Sequence, residues 1–117
     1  LDEGAALPPA RVAAARAETE AARAAMADLF AGVVAVAAPA APGEAPEGLG
    51  ATGDPLFNRA WTLLGGPCLA IPAGRGPRGL PVAVQLAGAP GAHGRLLAHA
   101  VPLAEALGAA PVSAARA

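Results

Sequence analysis

The chain contains no lysine and no tyrosine, a single serine, Ser113, and a single cysteine, Cys68. The absence of lysine excludes any Ser–Lys catalytic pair built within these 117 residues. The lone cysteine excludes an internal disulfide framework and fits a reducing compartment. Aromatic residues are limited to Phe30, Phe57 and Trp61. The 55% apolar content is mostly alanine, which buries little area per residue at about 25 cal/mol per Å². A chain so poor in large side chains is expected to lean on something else, with marginal stability and exposed apolar surface. The eight basic residues are all arginine and form no run, and nine acids give a net charge of −1. Nothing here marks nucleic acid or an anionic membrane as a partner. No apolar run approaches the roughly 20 residues of a transmembrane helix. The N-terminal Leu1-Asp2-Glu3-Gly4 has neither the basic flank nor the apolar stretch of a signal peptide. A cytoplasmic location is therefore expected. Without an initiating Met, the sequence reads as the interior of a longer reading frame.

The whole chain, 1–117, reads as a single partial domain. Leu7-Pro8-Pro9 leads into a helix expected over about 10–31, rich in strong helix formers. Its inward face is Val12, Ala15, Thr19, Ala22, Met26, Leu29 and Val33, with Arg11, Glu18, Glu20 and Arg23 mostly away from it. After Gly32, Val33-Val34-Ala35-Val36-Ala37 reads as a strand buried on both faces, as in a helix-covered parallel sheet. A Pro-rich stretch, 39–48, reads as a solvated surface connection carrying Glu44 and Glu47. Asp54-Pro55 is expected to cap and open a helix whose heavy face is Phe57, Trp61 and Leu64. Gly65-Gly66-Pro67 stops that helix. Cys68-Leu69-Ala70-Ile71 and Val82-Ala83-Val84-Gln85-Leu86-Ala87 are two strands. The Gly- and Pro-rich loop between them is too short for a crossover, so they form an antiparallel hairpin within a mixed sheet. The last helix is expected over about 95–107 with a stripe of Leu96, Ala100, Leu103 and Leu107. Pro102 should kink or break it. The tail, 111–117, is expected to be loose. The fold class is α/β, in the order helix-strand-helix-strand-strand-helix.

Hydrolytic chemistry needs an activated nucleophile, a base and oxyanion donors. Ser113 sits on an Ala-rich tail and in no Gly-x-Ser-x-Gly turn. Cys68 opens an apolar strand, where small buried cysteines are common, and lacks the adjacent cation or helix N-terminus that lowers a thiol pKa. His93 and His99 lie about 120° apart on a helical wheel and do not share a face. No further His and no Cys pair completes a metal site. The sequence thus offers no catalytic residue, no metal ligand set and no cofactor fingerprint. Gly74-x-Gly76 and Gly88-x-x-Gly91 read as turns, not phosphate cradles.

Two motifs in this order carry a resemblance: Gly65-x-Pro67-Cys68-x-x-Ile71-Pro72-x-Gly74, and Gly79-Leu80-Pro81-Val82-x-x-Gln85-Leu86-x-Gly88. They are preceded by an Ala- and Arg-rich helix running into Leu29-Phe30-Ala31-Gly32. An apolar strand ending in Pro39 follows, and then Thr52-Gly53-Asp54-Pro55 leads a helix through Asn58, Trp61 and Leu64. Leu96-Leu97 open the final helix. Together these resemble the C-terminal portion of the amidase signature family, serine hydrolases of carboxamides, over nearly all of the chain. The family often has Asp at the place of Gly32 and Thr-Pro near Ala38-Pro39, and no proline at the place of Pro102. The resemblance implies a mixed twisted sheet covered by helices, of which this is the closing part. It implies acyl-enzyme hydrolysis of a small-molecule amide without metal or organic cofactor. The Ser–Ser–Lys constellation would come from a missing N-terminal part of the same domain. It does not separate a general amidase from the A subunit of tRNA-dependent amidotransferases. It points to the helix carrying Phe57, Asn58, Trp61 and Thr62 as a wall of the substrate pocket. Against this, Phe57 and Trp61 at helical spacing are more often core residues, and Asn58 and Thr62 are ordinary on an exposed face. Two alternatives stand beside this reading: an inactive truncated fragment acting as a structural or interaction piece, and a small independent enzyme using Cys68.

Overall fold

A computed structural model describes Gly4 and residues 6–108. Ser113 and the tail expected to be loose lie outside the described residues. Along the chain the elements are α1 (Pro9–Leu29), β1 (Ala35–Pro39), α2 (Arg59–Leu64), β2 (Cys68–Arg75), β3 (Pro81–Gly88) and α3 (His93–Ala106). The chain is thus a mixture of helices and one small sheet.

The sheet is three-stranded, in the order β1-β3-β2. Both pairings are antiparallel, with Val36 opposite Ala87 in one and Leu69 opposite Leu86 in the other. The β2–β3 hairpin forms as its short loop requires. Nothing in the described sheet is parallel, which corrects the reading of 33–37 as a strand of a parallel sheet. The strand begins two residues later than that run and is only half-buried, and Val33 is 43% exposed. A β-branched run reports β preference, but it does not report which neighbours will cover it.

Central strand β3 supplies both layers of the core. On one face Leu86 joins Ile71 of β2 and Leu96 and Ala100 of α3, with Leu69, Val84 and Leu103 packed around them. The expected stripe of α3 is therefore the buried one, except that Leu107 is 40% exposed. The helix runs through Pro102 without ending there. On the other face Ala87 is fully covered and Gln85 is 5% exposed.

Helix α1 matches the expected span, but its expected face does not dock along its length. Met26 is buried, and so is Phe30 just beyond the helix. Ala15 and Ala22 are exposed, as is Leu29 at 50%. Arg23, expected on the outer side, instead donates through Nε and Nη2 to the Leu63 carbonyl at 3.2 and 2.8 Å. That places a cation on the last turn of α2, where free carbonyls favour one.

α2 starts later than Asp54-Pro55 suggests. The Pro55 carbonyl accepts from the N–H groups of both Asn58 and Arg59, forming a turn ahead of the helix. Asp54 does not cap it and instead lies 3.4 Å from Arg59 Nη2. Gly65 closes the helix in the left-handed region (φ 76°, ψ 19°), as a glycine stop should. Gly66 is needed for a different reason, close approach: a Cβ there would stand 2.6 Å from the Gly88 carbonyl oxygen and 3.4 Å from Met26 Cε. β2 runs four residues beyond Ile71, with an irregularity between Pro72 and Gly74. Proline is tolerated because β2 is an edge strand.

The body is under-covered. Among the described residues, ten large apolar side chains are at least 40% exposed. The core therefore rests on few side chains, and each should count. Leu96→Ala, at a position 2% exposed, should lower unfolding free energy by about 2–4 kcal/mol in urea titrations. Leu97→Ala, at a position 55% exposed, should change it by about 0.5 kcal/mol or less.

Candidate functional site

Two clefts meet at the entry to α2. The larger, about 620 Å³, is lined by residues 40–46 and 52–55, by Asn58, and by Pro81, Val82 and Ala83 of β3. The smaller, about 480 Å³, is lined by Arg23, Pro55, Asn58, Arg59, Thr62 and Leu63. Asn58 forms part of both walls. Its Nδ2 donates to the Ala40 carbonyl at 3.2 Å, so one side chain joins the start of α2 to the end of β1. Thr62 lines the smaller cleft, with its hydroxyl donating back to the Asn58 carbonyl at 3.0 Å.

Phe57 and Trp61, grouped with Asn58 and Thr62 by sequence, line neither cleft. Both are half-buried. The Phe57 carbonyl accepts from Gln85 Nε2 at 3.2 Å. That bond satisfies an amide buried in the middle of the sheet, a group expensive to leave unpaired.

The larger cleft is roofed by the Pro-rich segment, and here the sequence reading needs correction. Glu44, assigned to a solvated loop, has a side chain only 4% exposed. Its carboxylate accepts from the backbone N–H of Arg78 at 3.0 and 3.1 Å and of Leu80 at 2.8 Å, and from Arg78 Nε at 3.0 Å. Arg78 Nη2 also donates to the Ala45 carbonyl at 2.6 Å. Desolvation pushes the Glu44 carboxyl up. The hydrogen bond from the Arg78 side chain, those from the Leu80 and Arg78 backbone, and the Arg78 charge together outweigh it and hold the group below its ordinary value. Gly76 makes the seat possible, because a Cβ there would stand 2.5 Å from the carboxyl group. No local pattern in the sequence announced this contact, whose partners lie 34 and 36 residues apart.

Among the described residues no hydrogen bond joins the candidates for nucleophilic work. Cys68 is exposed, its sulfur faces the Gly66 carbonyl at 3.8 Å, and partial desolvation pushes its thiol up. His99 Nδ1 lies 2.8 Å from the Arg95 carbonyl. Since a carbonyl only accepts, that nitrogen carries the proton. His93 is exposed at the start of α3. Among the described residues no group of three or more His, Cys, Asp or Glu side chains could hold a metal ion, and no helix is long and apolar enough to cross a membrane. The clefts offer polar groups for holding a small molecule, among them Asn58, Thr52, Asp54 and Thr62, and neither is lined by Ser, Cys, His or Lys.

The raised Cys68 thiol makes a direct prediction. Its alkylation by iodoacetamide should be slow at pH 7 and keep rising beyond about pH 8.5, the ordinary cysteine value. A plateau reached below pH 8 would mean an activated thiolate. Compared with models of protein families and with curated protein sequences, the chain matches none.

Proposed function

We propose that these residues form the C-terminal part of a carboxamide hydrolase of the amidase signature type, closing its sheet and contributing part of the substrate-pocket wall. The observation that carries this reading is the hairpin. The two motifs that resemble the family, around Cys68-Leu69-Ala70-Ile71 and Val82-Ala83-Val84-Gln85-Leu86, fold as neighbouring strands paired from Cys68–Ala87 to Ile71–Val84. The open outer edge of β2 and the excess apolar surface support an origin in a larger sheet, since exposed edges and large apolar patches call for a cover.

In this proposal the reacting groups belong to the missing N-terminal part. An upstream serine attacks the carboxamide carbon, the amine leaves, and water hydrolyses the ester, with Ser and Lys moving the protons. The present residues bind and orient. Asn58 and Thr62, at the cleft walls, are the wall residues best placed to touch substrate. Phe57 and Trp61 serve by fixing the helix entry. A cytoplasmic setting accompanies this proposal. The absence of lysine and of any serine but Ser113 favours a second statement: the 117-residue chain by itself is inactive, a structural piece of its parent. An amidotransferase A subunit would share this geometry.

The test is the intact mass of the polypeptide in its source, followed by amide-hydrolysis assays. A mass several times 11.2 kDa with ammonia release from carboxamides is expected. A source polypeptide of 11.2 kDa would sink the catalytic reading. In the full-length enzyme Thr62→Ala should raise KM for a small carboxamide several-fold with little loss of kcat, as loss of uniform binding does. An unchanged KM would remove Thr62 from the wall.

A further inference from the structure

The segment between β1 and α2, residues 40–55, has no regular secondary structure. Loops of that length inside a folded body usually serve a purpose. It is held at both ends and near its middle. At one end the Ala40 N–H donates to the Ala83 carbonyl at 2.9 Å and its carbonyl accepts from Asn58. At the other end Asp54 pairs with Arg59, both largely exposed. Between them the Glu44 carboxylate is inserted into the 76–80 turn that joins β2 to β3, and beside it Arg78 Nη2 donates to the Ala45 carbonyl at 2.6 Å.

We infer that residues 40–55 are a strap closed over the 620 Å³ cleft by the Glu44 carboxylate in the 76–80 turn, and that neutralising this carboxylate opens the cleft. The turn is a ready receptor for one carboxylate. Its Arg78 and Leu80 N–H groups and the Arg78 guanidinium converge on the same two oxygens, an arrangement of backbone donors that favours an anion. The turn does not depend on Glu44 for its own shape. Gly76 N–H donates to the Leu80 carbonyl and Gly79 N–H to the Gly76 carbonyl, both at 2.9 Å, and Arg75 Nη1 donates to the Gly79 carbonyl at 2.6 Å. Release of the strap therefore leaves the hairpin standing.

The charges around the contact are few. Arg78, on the turn, is the charged group in contact with Glu44, and Arg75, at the end of β2, is engaged with the turn's own carbonyl. Within the strap Glu47 is exposed, and Asp54 faces Arg59 of α2. A protonated Glu44 would present an O–H where three N–H donors converge, so it loses acceptor capacity and charge together. Because the folded carboxyl is held below its ordinary value, the contact is fully present above the unfolded value of about 4.3 and is lost as pH falls through the lower folded value.

Two measurements on the intact source polypeptide test the strap. The first is amide hydrogen exchange from pH 7 to pH 3, expressed as protection relative to the intrinsic rate. The Arg78 and Leu80 amides should be protected at pH 7 and lose that protection in acid while the Leu86 amide keeps its own. Unchanged protection at Arg78 and Leu80, or simultaneous loss at Leu86, overturns a local latch. The second is maleimide labelling at pH 7 of Ala83→Cys, which lines the cleft, in a Cys68→Ser background. Adding Glu44→Gln should speed labelling about tenfold or more, the scale of losing several hydrogen bonds to a charged group. Adding Glu47→Gln should leave the rate unchanged. Equal rates with and without Glu44→Gln overturn the proposal.

Discussion

Everything in this fold leans on one strand. β3 is paired on both sides, and the residues from Gln85 to Gly88 are buried. Its alternation decides the two layers: Leu86 meets α3, and Ala87 and Gln85 face the opposite way. Because side chains alternate with a period of two, a slip of one residue would exchange Leu86 with Gln85 and break the apolar contact that Leu86 makes with α3. The Gln85 amide opposes that slip. Its bond to the Phe57 carbonyl exists in one register only, so a polar group in the core specifies position where apolar packing is too thin to do so.

Thin packing also explains why the clefts gather where they do. The β3 face toward Phe57 carries small residues, Ala83 and Ala87, beside Gln85. Small side chains let the backbone of the 55–58 turn approach, but they do not fill the space on either side of it. The space left over beside Ala83 is the larger cleft, which shares Asn58 with the smaller one. The candidate site is thus a consequence of composition. An alanine- and proline-rich chain can bring backbone close to backbone, as at Gly66 against the Gly88 carbonyl, yet lacks the volume to seal what remains.

Much of this was legible in the sequence. The glycine stop at Gly65, the hairpin on its short Gly- and Pro-rich connection and the stripe through Leu96, Ala100 and Leu103 each follow from local chemistry and are found in the structure, although β2 takes in residues 72–75 that read as loop. Less was legible where a residue's environment is set by distant chain. The valine run at 33–37 says strand but not antiparallel partner. Asp54 has the chemistry of a cap, yet the Pro55 carbonyl opens the turn first. The face of α1 is periodic along its whole length, but only Met26 among its residues is buried, because little of the described chain stands opposite the rest. Glu44 was read from its proline-rich neighbours as solvated, and only the fold brings the 76–80 turn to it. Of the proposed wall, Asn58 and Thr62 reach a cleft and Phe57 and Trp61 do not, a division that one helical wheel cannot make without knowing where the sheet lies.

Four of the eight arginines acquire a physical reason from their contacts. Arg23 reaches Glu20 Oε1 at 2.7 Å and the Leu63 carbonyl with its other nitrogens. Arg78 spans the Glu44 carboxylate and the Ala45 carbonyl. Arg75 and Arg95 donate to the carbonyls of Gly79 and Val33. Arg23, Arg78 and Arg95 join distant stretches of chain, Arg75 ties its own turn, and two of the four serve an acid and a carbonyl at once. A planar guanidinium holds several N–H donors in a fixed fork, whereas an ammonium is a compact, strongly hydrated point charge on a flexible stem. Exposed ion pairs contribute little to stability, so charge alone would not favour arginine at these places. Geometry does. In a chain with three aromatic side chains and few buried leucines, arginine forks fasten loops and helix ends that apolar packing leaves free.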